Sequence, residues 1–417
     1  MNTPAPIPLG LRKSFGFGDR LGLATPGHLA AAKPYDFAGI FAQQSIREMA
    51  RTNRTPEEVM KAATDALAAA DYDKPWGADA DHLKTRDDVF ATARAGFCFF
   101  TIDPSEYVNN AADTMAPADL ESEASKQEKE GLYGGESLEG LYLARAFETE
   151  KAAYNFDRES LLRAAVKYGR AVHYCEQMAG HIAEANQGRN YEIEVSVDET
   201  DSPTHPLEHV FFANELRRRG VTVVSLAPRF IGEFEKGIDY KGDHKAFEDS
   251  LAEHVAIATA FGPYKISVHS GSDKFSIYPV IGRVCGDLLH VKTAGTSYLE
   301  ALRVLARVDG PAFREIVDYS GGRFAEDRKS YHISVTESDI PGLLKAADAD
   351  LERVFLDENH GRQVLHVTFG SVLTKGKAAN GRPFKDVLME ALEKNAGLHS
   401  EVLEKHLGRH LAELTKG

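Results

Sequence analysis

Three cysteines in 417 residues, Cys98, Cys175 and Cys285, are too few and too widely spaced for a disulfide framework. No CxxC spacing exists, so a thiolate zinc site is excluded as well. Such usage suits a reducing compartment, and the expected location is the cytoplasm. Basic charge is also short: 49 Lys and Arg stand against 63 Asp and Glu, a net charge of −14. That balance leaves no basic surface for nucleic acid. No apolar run approaches the length that spans a bilayer. The opening MNTPAPIPLGLRKSFGFGD lacks the continuous apolar core of a secretory signal. Gly16-Phe17-Gly18-Asp19-Arg20 completes neither a dinucleotide fingerprint nor a P-loop. Repeats and low-complexity tracts are missing too.

What is present is a set of short apolar segments that carry histidines and acids. Tyr191–Glu199 (YEIEVSVDE), Tyr264–Ser270 (YKISVHS), Tyr331–Thr336 (YHISVT) and Val364–Gly370 (VLHVTFG) all read as strands. Successive strand side chains point to opposite faces. Ile193, Val195 and Val197 therefore share one face, and Glu192, Glu194, Ser196 and Asp198 share the other. A sheet rolled into a barrel, greasy outside and polar at its upper interior, fits that pattern, and barrel enzymes keep their chemistry there.

The second half alternates strands with helices, which implies parallel pairing through right-handed crossovers. Helices are expected over about 206–219, 244–261 and 298–308, with strands at Val221–Ala227 and Leu288–Thr293. In the first half, Phe15–Ala24, Phe37–Ala42 and Phe97–Ile102 are strand candidates, and Thr55-Pro56-Glu57-Glu58 opens a helix with a capping box. The stretch from about 105 to 189 reads as mostly helical. The expected fold is a TIM-type (β/α)8 barrel over 1–417, one domain with that helical elaboration in its N-terminal half. The nine strand candidates exceed the eight a barrel needs, so at least one is misplaced or lies outside the barrel.

Interior-facing groups carry the chemistry. His269 with Ser267, His290 with Lys292, His332 with Ser334 and His366 with Thr368 join Asp198 on this reading. One strand histidine is usually a hydrogen-bonded core residue. Several on different strands of one sheet, beside a carboxylate, suit a divalent transition metal with open positions. Burial lowers a lysine's pKa, so Lys292 is a candidate acid or base. Glu192 and Glu194 sit lower and suit a buried polar network. Ser270-Gly271-Ser272-Asp273-Lys274 either cradles an anion or is a plain βα turn. Arg229, just past a strand end, could clamp a carboxylate. Thr293 to Ser297 offers hydroxyls, and Ser297 and Glu300 have capping-box spacing.

Longer stretches resemble the bacterial tagaturonate/fructuronate epimerase family. They are FGFGDRLGLATPGH (15–28), SVDETDSPTHP (196–206), VVSLAPRFIGEFEKGIDY (223–240), SVHSGSDKFSIYP (267–279), HVKTAGTSYLEALRV (290–304), SYHISV (330–335) and HVTFGS (366–371). The resemblance spans nearly the whole chain and is weakest over about 115–185. It implies a barrel that interconverts two keto-hexuronates in hexuronate catabolism, with a divalent metal cofactor (Mn, Ni, Co or Zn). The partner implied is a small sugar acid, with no nucleic acid and no membrane; self-association stays open.

Those uronates differ at a hydroxyl-bearing carbon too far from the ketone for direct enolisation, so retro-aldol cleavage and re-closure through a metal-steadied enediolate is expected. Laid onto the matching motifs, the interior argument makes Glu199, His332 and His366 metal ligands, with His269 as a replacement. Asp198 becomes the base, Lys292 the acid, and Glu300 a further catalytic candidate. Arg229, His269, Ser272, Asp273, Lys274 and Thr293 would hold substrate. The rivals are a metal-dependent aldolase that releases its fragments, a ketose isomerase, and a non-catalytic sugar-acid sensor.

Overall fold

The structure, a computed structural model, describes residues 4–416. Eight parallel strands close into a barrel: β1 (Ser14–Gly18), β2 (Ala38–Ser45), β3 (Gly77–Leu83), β4 (Phe99–Ile102), β5 (Glu192–Ser196), β6 (Ser225–Ala227), β7 (Lys265–Val268) and β8 (Leu289–Thr293). They run round the barrel in chain order, and β8 returns to β1 with Ser14 opposite His290. Helices between them pack outside, as right-handed crossovers require.

Seven of the nine expected strands are here, and two are not. Val364–Gly370 lies inside the helix Asn359–Thr374, whose length only its polar flanks reveal. Apolar runs of this size do not distinguish strand from buried helix. Tyr331–Thr336 is an extended connection without sheet partners. Its amides go to side chains instead: Ser334 N donates to Glu235 Oε2 at 2.6 Å and Val335 N to Gln363 Oε1 at 3.1 Å. The unexpected strand is β3, GADADHL. Gly, Ala and Asp are poor strand formers, yet Asp79 and Asp81 alternate with Ala78 and Ala80 as a half-polar strand demands.

The two faces of β5 are as the sequence implies. Ile193, Val195 and Val197 join Val172, Phe211 and Phe212 in the core between sheet and helices. The barrel floor is closed by polar groups. Ser14 Oγ lies 2.9 Å from His290 Nδ1 and 3.0 Å from Lys265 Nζ, with the Phe99 ring 5.4 Å from that of His290.

The region from 105 to 189 holds the short helices Pro117–Lys129 and Leu138–Tyr142, a small hairpin (Phe147–Glu148 with Ala153–Tyr154) and the helix Arg158–Ala185. That last helix is the crossover from β4 to β5. Its buried Lys167 holds Asp113 Oδ1 at 2.9 Å, Ser202 Oγ at 2.9 Å and Glu208 Oε1 at 3.0 Å, which fastens the loop after β5. Beyond β8 lies a second helical body with its own core, including Leu299, Leu302, Ile316, Phe324, Val364 and Leu388. The final helix, Ala396–Leu414, turns back onto Thr25–Ala32. The approach is close enough that a Cβ on Gly27 would meet Leu403 Cβ at 2.6 Å.

Outside the barrel, His209 and His254 share a buried hydrogen bond of 2.9 Å between their Nδ1 atoms, and Tyr264 Oη meets His209 Nε2 at 2.8 Å. Burial holds His254 down to about 4 and His209 well below its usual range, each also opposed by a neighbouring imidazole. The unfolded chain takes up these protons first, so stability is complete above about pH 6.5 and falls as pH drops toward 4. Urea denaturation between pH 4.5 and 8 is expected to show this decline. In His254→Leu the slope should flatten by about 1.4 kcal/mol per pH unit, although the variant loses about 1–3 kcal/mol at pH 8 by stranding His209.

Candidate active site

One ammonium organises the barrel interior. Lys292 projects from β8, 3% exposed, and its Nζ lies 2.7 Å from Asp79 Oδ2, 2.8 Å from Asp81 Oδ1, 2.7 Å from Glu194 Oε1 and 2.6 Å from Thr101 Oγ1. These partners come from β3, β4 and β5, across the barrel. Burial works against the charge, but Asp79, Asp81 and Glu194 outweigh it and hold Lys292 above the ordinary lysine range. The expectation that burial would lower it is therefore reversed. The acids share the strain unequally: burial pushes Asp79 up to about 7, whereas Asp81 and Glu194 stay well below normal beside their cations.

Above this layer sit two imidazoles. His269, just past β7, meets Glu194 Oε1 at 2.7 Å and lies 3.5 Å from Asp198 Oδ1. His82, next to last in β3, has φ +56°, a left-handed backbone costly for a side-chain-bearing residue and typical of functional sites. A register shift between β3 and β4 accompanies it. The twist aims the ring over the mouth, 5.0 Å from that of His269 and with Nε2 3.8 Å from Asp198 Oδ1. Burial alone would lower both imidazoles; Asp81 and Asp198 raise His82 well above its usual value, and Asp198 and Glu194 bring His269 up to about 9. Asp198 is held low in turn by His269 and His82 against its burial.

This arrangement favours positive charge, and its donors fit a metal. Ligand atoms of Asp81, His82 and His269 lie within 4.8 Å of one another. Both ring nitrogens of His82 are buried without a hydrogen-bond partner, although Asp81 Oδ1 is 2.8 Å from Nδ1. Two imidazoles and a carboxylate, with Asp198 adjacent, are the donor set of a divalent transition ion with open positions. A second group, Asp273, His406 and His410, is equally close but already committed. Asp273 N donates to His410 Nε2 at 2.9 Å, and its carboxylate takes Arg362 Nη2 at 2.9 Å and His406 Nε2 at 2.8 Å.

The sequence-derived residues divide accordingly. Asp198, Glu199, His269, Ser272, Lys292 and His366 all line the cavity at the mouth. Arg229 and His332 line its outer extension, which Asp198, Glu199 and His269 also reach. Glu199, His332 and His366 are not among the groups whose ligand atoms lie within 4.8 Å of one another. His332 is on no strand; its side chain is 74% exposed and pairs with Glu233 at 2.7 Å. His366 is on the helix Asn359–Thr374, pressed against Gly295, where a Cβ would stand 2.0 Å from its Cε1.

Five further residues point elsewhere. Glu300 is buried beside Arg303 Nε at 2.7 Å, and Ser297 bonds His28 Nε2 at 2.9 Å instead of capping its helix. Lys274 donates to the carbonyls of Glu235, Ile238 and Ser272, and Asp273 is tied as above. Thr293 Oγ1 donates to the Gly16 carbonyl at 2.7 Å. Their polar groups are spent on holding loops. Asp81 and His82, which sequence reasoning missed, had one signal: the Asp–Ala alternation of β3.

Fold and mouth together define an enzyme of the (β/α)8-barrel class, with acids, imidazoles and an ammonium gathered at the carboxyl ends of the strands. Comparison with known proteins narrows this. The model of the family described as UxaE: tagaturonate epimerase matches residues 1–414. The chain is 45% identical over 407 residues to the tagaturonate/fructuronate epimerase of Thermotoga maritima, covering 97% of this chain and 81% of that one. The native crystal structure of the fructuronate-tagaturonate epimerase UxaE of Cohnella laeviribosi superposes with a TM-score of 0.92 at 37% identity, covering 99% of this chain and 83% of that one. A glycerol complex of that protein gives a TM-score of 0.91. The chain belongs to the tagaturonate epimerase family and is an isomerase of the epimerase kind.

Removing Lys292 leaves its carboxylates buried without their cation. Lys292→Met is expected to lose about 3–5 kcal/mol in urea denaturation without added metal, the cost of breaking a buried charge network from one side.

Proposed function

We propose that the protein interconverts tagaturonate and fructuronate by breaking and re-forming one carbon–carbon bond, with a divalent cation as cofactor and the cytoplasm as its location. The observation that carries this is the gathering of Asp81, His82, His269 and Asp198 above Lys292. Family membership supplies the substrate pair. The inverting carbon is β to the ketone, so its C–H is not acidic. Its hydroxyl is.

The Asp198 carboxylate takes that hydroxyl proton. The freed oxygen pair forms a C=O as the bond toward the ketone breaks, and the electrons of that bond become an enediolate. The aldehyde fragment turns about its bond to the next carbon and presents its other face. The enediolate carbon re-attacks, and Asp198 returns the proton. A cation held by Asp81, His82 and His269 would supply Lewis acidity where this negative charge collects. Lys292, held above the ordinary lysine range by its acids, keeps Asp81 and Glu194 in place beneath the reacting atoms. Glu194 fixes the ring of His269, as outer partners of metal-binding imidazoles do.

Two measurements test this. In D2O, epimerised product followed by NMR should carry no deuterium on carbon, since only hydroxyl protons move. Deuterium at the inverting or α carbon would instead mark enolisation, and free three-carbon products an aldolase. Separately, metal content and turnover should both fall in His82→Ala and His269→Ala, with activity down roughly 100-fold or more. His332→Ala should keep both.

A further inference from the structure

We propose that Arg20 and Lys236 form the seat for the substrate's carboxylate, which makes them the residues that discriminate a sugar acid from a neutral sugar. The identity of the ligand rests on the keto-uronate reading above. Arg20 follows β1 and is 3% exposed. Its Nε and Nη2 both donate to Glu48 Oε1, at 2.9 and 2.6 Å, and its guanidinium carbon lies 3.6 Å from the Phe369 ring centre. The group is thus locked in orientation from two sides. Its remaining nitrogen, Nη1, is buried and has no partner. A charged donor shut away from water and left unpaired is costly, and an incoming acceptor removes that cost.

His366 carries a second such atom: its Nδ1 is buried and unpartnered, and it lines the same cavity as Arg20 and Lys236. Lys236 supplies the missing charge, because Glu48 already offsets that of Arg20. Among the described residues no carboxylate lies within 4.0 Å of the Lys236 ammonium, which rests on the Ser270 hydroxyl. The competing cations are engaged. Lys292 has its three acids, Arg47 lies 3.4 Å from Glu199, and Arg229 donates to the Thr200 carbonyl.

Topology places Arg20 at a useful distance from the chemistry, and Lys236 reaches the same cavity from the loop after β6. In an eight-stranded barrel in chain order, β1 faces β5 across the mouth. Arg20 follows the first and Asp198 the second. A sugar acid spanning the opening puts its reacting carbon under Asp198, His82 and His269 and its carboxylate against Arg20 and Lys236. The fragment that turns during epimerisation is the one bearing the carboxylate. Anchoring that end lets the formyl group swing about a single bond without leaving the site.

Binding separates this from the reaction itself. D-glycerate carries the carboxylate of the fragment and glycerol does not, so both are titrated calorimetrically against metal-loaded wild type, Arg20→Lys and Lys236→Gln. Wild type should prefer glycerate by about 10- to 100-fold, the worth of a charge-assisted contact. The preference should fall to within about 3-fold in either variant, with the KM for tagaturonate rising by a similar factor and kcat far less affected. Lys236→Gln is the safer arm, because Arg20 also holds Glu48 and Phe369. Overturning results are an unchanged preference in Lys236→Gln, or none in wild type. A collapsed preference in a protein that leaves tagaturonate unchanged would keep the seat and remove the epimerase reading.

Discussion

The structure depends on a single buried ammonium. Among the described residues, Lys292 is the one cation that touches the carboxylates of Asp79, Asp81 and Glu194 together at the centre of the barrel, and it offsets their mutual repulsion across β3 and β5. Most barrels of this type fill their interior with branched aliphatic layers. Here the middle layer is ionic, and its stability comes from pairing more than from dry packing. That trade is unfavourable for stability alone, since a buried ion pair rarely beats a hydrophobic replacement. It makes sense as a foundation: a rigid acidic layer keeps Asp81, His82 and His269 facing one another at the mouth.

The surrounding loops follow the same logic of fixed support. The loop after β5, which carries Asp198, is tied down by Lys167 through Ser202 and by Asn110 Oδ1 accepting from Asp201 N at 3.2 Å. The loop after β7 is held by Arg362, His406 and His410, all from the C-terminal helices. The loop after β6 is fixed by Lys274 from below, and by Ser334 and Gln363 on Glu235, which is thereby lowered to about 2 despite its partial burial. Much of what resembles active-site chemistry in the sequence is this scaffolding.

That division explains what the sequence could and could not disclose. Strands rich in Val, Ile and Phe announced themselves, and the barrel followed from them. Asp198, His269 and Lys292 were legible because a period of two on β5, β7 and β8 places them inside. β3 was illegible because its residues have weak strand preference, and with it went Asp81 and His82. The orientation of His82 depends on one left-handed backbone angle that no pattern encodes. His332 and His366 misled for the opposite reason: their apolar neighbours are real, but they pack on the helical body and not in the sheet. The partners of Asp273 lie up to 137 positions along the chain, so its structural duty could not be read locally.

The helix Ala396–Leu414 settles against Thr25–Ala32, the first helix of the chain, and against Tyr278–Cys285. Helices that bracket the barrel strands in the sequence are therefore neighbours. During synthesis β1 waits for β8, and Thr25–Ala32 waits exposed for Ala396–Leu414, which follows the last barrel strand. Contacts of such long sequence separation form late and slowly. Throughout that interval the nascent barrel has an open seam, a window in which a chaperone has the most to protect.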